Sequence, residues 1–327
     1  MPTAKDALLK YEAGQTAVAI SALTDAGDHI NFTGSASPWS RKSGYAPVIR
    51  PNGLISGGVV TPAASGLNDA VDVSAGTAYI SGALVSFNAA TDLVVTRPAD
   101  ANTHQINSIA VASNGTISDI DGTDHTAFSE TRGGNGGPPF IPATSVELAQ
   151  VRLSAKASAD IAASEIFSVV GVHTERWDYP LYDVDYYLGK VTFVDDLPLI
   201  HTDSKAKGVY ASYASPIFAD VSIATDFVPP EDSYSVSSTQ VYGRTVGSTS
   251  SSLGQGSFTA HLNNGVTDAL VTLEGEDLWF KFYPDRYQGP YIMCQGTLGV
   301  TRAFPAGDQI SASCTINAEA AARNVAA

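Results

Sequence analysis

Short β-patterned runs of apolar and polar residues recur along the chain and predict strands rather than helices. The most informative stretch is residues 231–316. Residues 235–247 carry no charge before Arg244, residues 248–254 are mainly small and polar, and residues 255–262 form a second β-patterned arm. Two long arms facing each other across a hinge at 248–254 are therefore predicted. Residues 266–273 have the spacing of two helical turns. After them comes an aromatic strand, 278–283, stopped by Pro284, because proline cannot donate to a ladder. Residues 291–302 and 309–316 then form an antiparallel pair joined across 304–308. Long hairpin, short helix, aromatic strand and closing hairpin predict a β-sandwich with one helix on its flank.

Earlier in the chain the texture is different. Residues 3–6 read as a capping box, which predicts a short helix over 4–12 that ends at Gly14. A strand follows at 16–23 and a turn at 25–28. Residues 34–58 read as a loop carrying Pro38, Trp39, Pro47 and Pro51. Short strands at 71–73, 76–80, 82–87, 93–96, 106–112, 115–121 and 145–153, separated by Gly, Ser, Asn and Asp, predict a second, small all-β domain of sandwich or immunoglobulin-like type. Residues 155–168 fit either a helix or a final strand. Trp177, Tyr179, Tyr182, Tyr186 and Tyr187 lie around Pro180, and that many rings predict a packed linker over 171–188. The expected division is 1–45 as an N-terminal helix, strand and arm, 46–170 as an accessory β-domain, and 189–327 as the main β-domain. Residues 1–45 either stand apart or fold back into that main domain, which would make the middle domain an insertion.

The order of elements after Gly189, the turn Leu262-Asn263-Asn264-Gly265-Val266-Thr267-Asp268-Ala269-Leu270 and the final hairpin 296–316 resemble the major tail tube protein of long, non-contractile-tailed bacteriophages. The resemblance covers about 189–318, under half of the chain. It implies a structural virion protein, assembled in the bacterial host cytoplasm, that polymerises with itself as stacked hexameric rings. Their hairpins would join edge to edge into a continuous barrel, with other tail proteins at the tube ends and DNA leaving the capsid through the lumen. The alternative is a receptor- or carbohydrate-binding appendage or baseplate protein of a phage tail, which the middle domain by itself would suit.

Charge narrows the partners. The 327 residues include 33 Asp and Glu against 18 Lys and Arg, a net charge of −15, so the chain lacks the cations that displace counterions from phosphates. DNA would pass without specific binding, over a wall of carboxylates and hydroxyls that does not hold phosphates. Acidity for solubility alone explains the same number. No apolar run approaches eighteen residues and the first fourteen hold no signal-peptide core, so no membrane partner is expected. Hydrophobic residues make up 44% and charged residues only 16%, which suits surfaces covered by neighbours.

No catalytic, cofactor or metal set emerges, and no enzyme is expected. The glycine-rich run 133–137 is followed by Pro138 and Pro139 where a phosphate loop needs Lys and a helix. Asp119, Asp121 and Glu130 have calcium-loop spacing, but Asp124 stands where that loop needs glycine. The six histidines are scattered without ligand spacing. Cys294 and Cys314 share parity with apolar neighbours and are expected to point inward, bridged across adjacent strands or as buried free thiols.

The residues expected to carry function are therefore those of assembly. Asp220, Ser222 and Asp226 are expected toward a lumen, with Val221 and Ile223 packed inward. Val236, Val241, Val246, Phe258 and Leu262 are expected along open inter-subunit sheet edges, because hardly a charge guards those arms. Trp39 either anchors an arm on a neighbouring subunit or tucks into its own domain.

Overall fold

The computed structural model describes residues 6–98, 100–154, 157–202 and 205–326. The fold is mostly β, with several sheets and, among the described residues, only short helical turns. Two units separate. One takes the described residues of Met1–Ala17, Pro38–Ala46 and Tyr213–Ala327, and the other those of Val18–Ser37 and Pro47–Ser212. Each has its own buried core.

The first unit is built on one large sheet. Its strands neighbour one another in the order Ala224–Val228, Gly256–His261, Ser311–Asn317, Tyr291–Ala303, Asp277–Tyr283, Leu8–Ala22 and Val209–Asp220, of the last two only residues 8–17 and 213–220 belonging to this unit. Strand chemistry explains the core. In Ser311–Asn317, Ala312, Cys314 and Ile316 are buried while Ser313, Thr315 and Asn317 are exposed, the period-two split of a sheet with one covered face. Phe258 and Phe280 meet with ring centroids 5.9 Å apart over that face, beside Leu278 and Leu298. Cys294 and Cys314 are free and buried there, and burial pushes both thiols up to about 12. As thiols they are inert at neutral pH.

Several expectations change here. The N-terminal helix is a strand instead. Leu8–Ala22 pairs antiparallel with Asp277–Tyr283 from Leu8 opposite Tyr283 to Tyr11 opposite Phe280, and Leu9 and Tyr11 are buried by that alternation; residues 3–5 of the predicted cap lie outside the described residues. A partner some 270 positions away in the chain thus overrides the local helix signal. The helix expected over 266–273 shrinks to Ala269–Thr272. Side chains of the preceding loop bond its own backbone and hold residues 263–267 as a loop ahead of that turn. Asn264 Oδ1 accepts from Val266 and Thr267, and Asp268 accepts from Asn263, Asn264 and Gly265.

The second unit packs smaller sheets. Gln105–Ala112 lies between Ile117–Ile120 and Ser145–Leu153, and Ala70–Val73 lies between Val60–Pro62 and Ala90–Val94. Gly53–Ser56, Gly76–Ile80 and Ala83–Phe87 form a third sheet. Val71, Val73, Ile80, Ile109, Val111, Val151 and Leu153 make the core. The boundary between units differs from the expected one at 189. The aromatic stretch 171–188 is part of this second unit, its strand Tyr182–Asp185 pairing with Lys190–Phe193, which in turn pairs with Asn31–Thr33. The expected loop over 34–58 contains the strands Val48–Pro51 and Gly53–Ser56. Residues 155–168 hold a single turn at Ala163–Glu165 and a two-residue strand Ile166–Phe167; residues 155 and 156 lie outside the described ones.

Candidate functional site

The feature with no packing explanation of its own is a hairpin. Asp232–Val241 and Arg244–Leu253 pair antiparallel through ten residue pairs, from Asp232 opposite Leu253 to Val241 opposite Arg244. They form a two-stranded sheet by themselves, and every residue is exposed apart from the half-buried Leu253. Gly243 makes the tip, taking a φ of 84° that a side chain would resist. The turn is at Tyr242 and Gly243, so the hinge expected at 248–254 is corrected: those residues are mostly strand. Their serines pair across the hairpin, Ser233 with Ser252, Ser235 with Ser250 and Ser237 with Ser248, the hydroxyls 2.7–2.8 Å apart. At the base the Gly254 N–H donates to Glu231 O at 2.9 Å.

Of the five residues expected on open sheet edges, three lie on this hairpin. Val236 is 75% exposed, and Val241 and Val246 are also exposed. Phe258 and Leu262 are corrected: both are buried in the first core, and Gly256–His261 is flanked on one side by Ala224–Val228 and on the other by Ser311–Asn317. That strand has no open edge.

Asp220 and Ser222 line a groove of about 290 Å³ together with Tyr11, His261, Asn264 and Asp268, and Leu262 lies beneath it. Asp220 is exposed and pairs with Lys10 at 3.1 Å. Asp226 lies outside that lining, at a register shift between Thr225 and Val228 where its own φ is 57°. The bulge ends the alternation that joined the three residues. Val221 is buried, but Ile223 is 51% exposed, against the expectation that it packs inward. Asp268 is tied down by its loop, the N–H groups of Asn263, Asn264 and Gly265 holding its carboxyl below the usual range.

Trp39 is fully buried and stacks on Tyr213 with centroids 4.3 Å apart, so the exposed-arm reading is corrected in favour of a residue of its own unit. Its carbonyl accepts from Trp279 Nε1 at 2.8 Å. Nearby, the buried Glu12 carboxylate accepts from Ser40 Oγ at 2.5 Å and Trp279 N at 3.1 Å.

The second unit holds a buried polar cluster that the sequence reading missed. Glu147 accepts from Ser108 Oγ at 2.5 Å and from Arg132 Nη2 at 2.6 Å. Burial pushes its carboxyl up, against the pull of Arg132. The Glu147 N–H donates to Glu175 Oε2 at 2.9 Å, and Glu175 Oε1 lies 3.6 Å from His201 Nε2. Burial raises Glu175 and lowers Lys207, whose ammonium donates to the carbonyls of Arg176 and Tyr179. A cavity of about 20 Å³ beside Glu175 and Lys207 has room for one water, not for a substrate. No carboxylate, histidine or cysteine group suited to a metal ion is present among the described residues. The one available signal was a glutamate inside the apolar strand Ser145–Leu153, which is buried on both faces.

His201 makes the cluster pH-sensitive. Its Nδ1 faces the Pro142 carbonyl at 3.2 Å, so that nitrogen carries the proton, and burial holds the ring down to about 4. The folded pKa lies below the ordinary value, so the stability this histidine permits is whole above pH 6.5 and is lost as pH falls toward 4, about 3 kcal/mol in all. Urea titrations across that window are expected to show wild type losing this much relative to His201→Asn, which keeps an N–H for Pro142; a pH-independent gap would refute the burial argument. Asp119 acts with the opposite sign. Burial first, and then Asp121, raise its carboxyl to about 7, so its contribution is present at low pH and lost as pH rises from 4 through 7.

No protein-family model and no curated protein matches this sequence.

Proposed function

We propose that this chain is a structural subunit that assembles with itself, and specifically a tail tube protein of a long, non-contractile-tailed bacteriophage, stacked as rings around a channel for DNA. The free-standing hairpin carries the reading. A two-stranded ribbon is marginally stable in water at best, and this one extends ten pairs with both outer edges unpaired among the described residues. Proteins that stay single guard such edges with lysine, proline or a bulge; here the strands hold only Asp232 and Arg244 as charges and no proline. Ribbons of successive copies, joined edge to edge, would remove those edges by closing a barrel. The large sheet of the first unit, covered by its helical turn and loops, is read as the sandwich that carries the ribbon, and the second unit as an accessory β-domain.

The net charge of −15 and the hydroxyl-rich ribbon suit a channel to which phosphates do not adhere. Sedimentation and negative-stain microscopy of the purified chain test the reading. Rings that stack into tubes are expected, whereas a chain that remains monomeric or trimeric at every concentration would instead favour a tail appendage.

A further inference from the structure

The second unit carries an uncovered apolar surface on the stretch 172–199. Tyr182–Asp185 and Lys190–Phe193 pair so that Tyr182 meets Phe193 and Val184 meets Val191 on one face. Phe193 and Val191 are buried, so that face is the inner one. Leu181 and Val194 come next on the pleat and point the other way, joined by the Val194 N–H donating to Leu181 O at 2.9 Å. Their side chains are 71% and 72% exposed. Val172, Tyr179 and Pro198 line the small cavity beside Glu175 and Lys207 and are themselves exposed. Pro180 lines it too and leads directly into Leu181. The Tyr179 ring is held in place against Gly171, where any side chain would collide with it. Adjacent exposed apolar side chains on a fixed framework, with a polar surround, mark a contact surface.

The surround has one sign. Among the charged residues of 172–199, the exposed ones are all carboxylates: Asp178, Asp183, Asp195 and Asp196. Asp183 shares the outer face with Leu181, and Asp195 and Asp196 follow Val194 directly. The cations of the stretch are only half exposed. Arg176 is held by both oxygens of Asp178 at 2.8 Å, and Lys190 lies opposite Asp185. We infer that the surface of Tyr179, Leu181 and Val194 docks a different protein, through a segment rich in aliphatic side chains and in lysine or arginine. An apolar centre ringed by carboxylates is complementary to an apolar centre ringed by cations. A second copy does not supply that, because two such faces would set the same carboxylates against each other, in a chain of net charge −15. Nucleic acid and anionic lipid are repelled for the same reason. The face belongs to the second unit and the ribbon to the first, so the inference holds whether or not copies polymerise.

Fluorescence anisotropy with the full chain and a dye-labelled peptide of alternating leucine and lysine tests this. Leu181→Ser combined with Val194→Ser should weaken binding about tenfold or more without changing the charge. Asp183→Asn combined with Asp195→Asn should weaken it about as much at low salt and less at high salt. Val59→Ser combined with Val94→Ser removes apolar side chains of like exposure around Ala70–Val73 in the same unit, and should change nothing. A peptide of alternating leucine and glutamate should bind at least about tenfold more weakly than the lysine one. Equal weakening by the two serine pairs, weakening by neither, or no binding to wild type overturns the inference, as does a preference for the glutamate peptide. Self-association of wild type that Leu181→Ser with Val194→Ser abolishes in sedimentation would make a second copy the occupant and overturn it too. Should that variant lose its fold by circular dichroism, the asparagine pair decides, and unchanged binding by it overturns the inference.

Discussion

A chain lacking residues 232–253, with Glu231 joined to Gly254 through two glycines, is expected to fold with its melting temperature nearly unchanged and to form no polymer. The excision is clean because the ends are already adjacent, the Gly254 N–H donating to Glu231 O at 2.9 Å. It removes no member of the first core, whose residues run from Leu9 and Tyr11 to Cys314 and Ile316. The strands on either side, Ala224–Val228 and Gly256–His261, pair with each other independently of the ribbon. Losing the ribbon is therefore expected to leave stability within about 0.5 kcal/mol, the range of surface changes away from the core. Assembly is another matter. If the ribbon supplies the edges that join copies, its loss removes the interface outright instead of weakening it. Circular dichroism melts beside sedimentation velocity read both halves of the expectation. Polymers of ordinary length from the excised chain would show that the copies associate elsewhere.

The ribbon also shows how far local pattern reaches. Its existence and its want of charge are legible, because between Asp232 and Arg244 no charged residue and no proline interrupts the stretch. Its tip is not. Tyr242-Gly243 lacks the Asn or Asp that usually marks a two-residue turn, while Ser248 and Ser250 to Ser252 look like loop until their partners are known. Serine is a poor strand former alone and becomes acceptable when a second hydroxyl faces it. The inward parity of Cys294 and Cys314 is legible for the opposite reason, since adjacent residues in the same strands already show which face is apolar. Position in space is what sequence alternation cannot supply. Leu8–Ala22 becomes a strand because Asp277–Tyr283 waits at the other end of the chain, and Trp39 is buried because Tyr213 offers it a ring. The cluster of Glu147, Glu175, His201 and Lys207 draws on separate strands and loops with no spacing to betray it.

That cluster sets the second large effect. Glu147→Ala is expected to destabilise the second unit by about 3–5 kcal/mol, because removing one partner of a buried ion pair strands the other. The Arg132 side chain is 11% exposed and would keep only its bond to the Pro139 carbonyl. Ser108 and Gln150 would lose their acceptor as well, in a strand covered on both faces. Glu147→Gln keeps the shape and an acceptor oxygen, and should cost less. For a unit of this size the alanine variant should lower its transition by roughly 10 °C in scanning calorimetry. The first unit's transition should hold, since its core shares no residue with the second. Assembly should hold too at temperatures where the second unit is melted, if the ribbon alone joins the copies. Loss of polymer in step with the lower transition would instead make the second unit part of the wall.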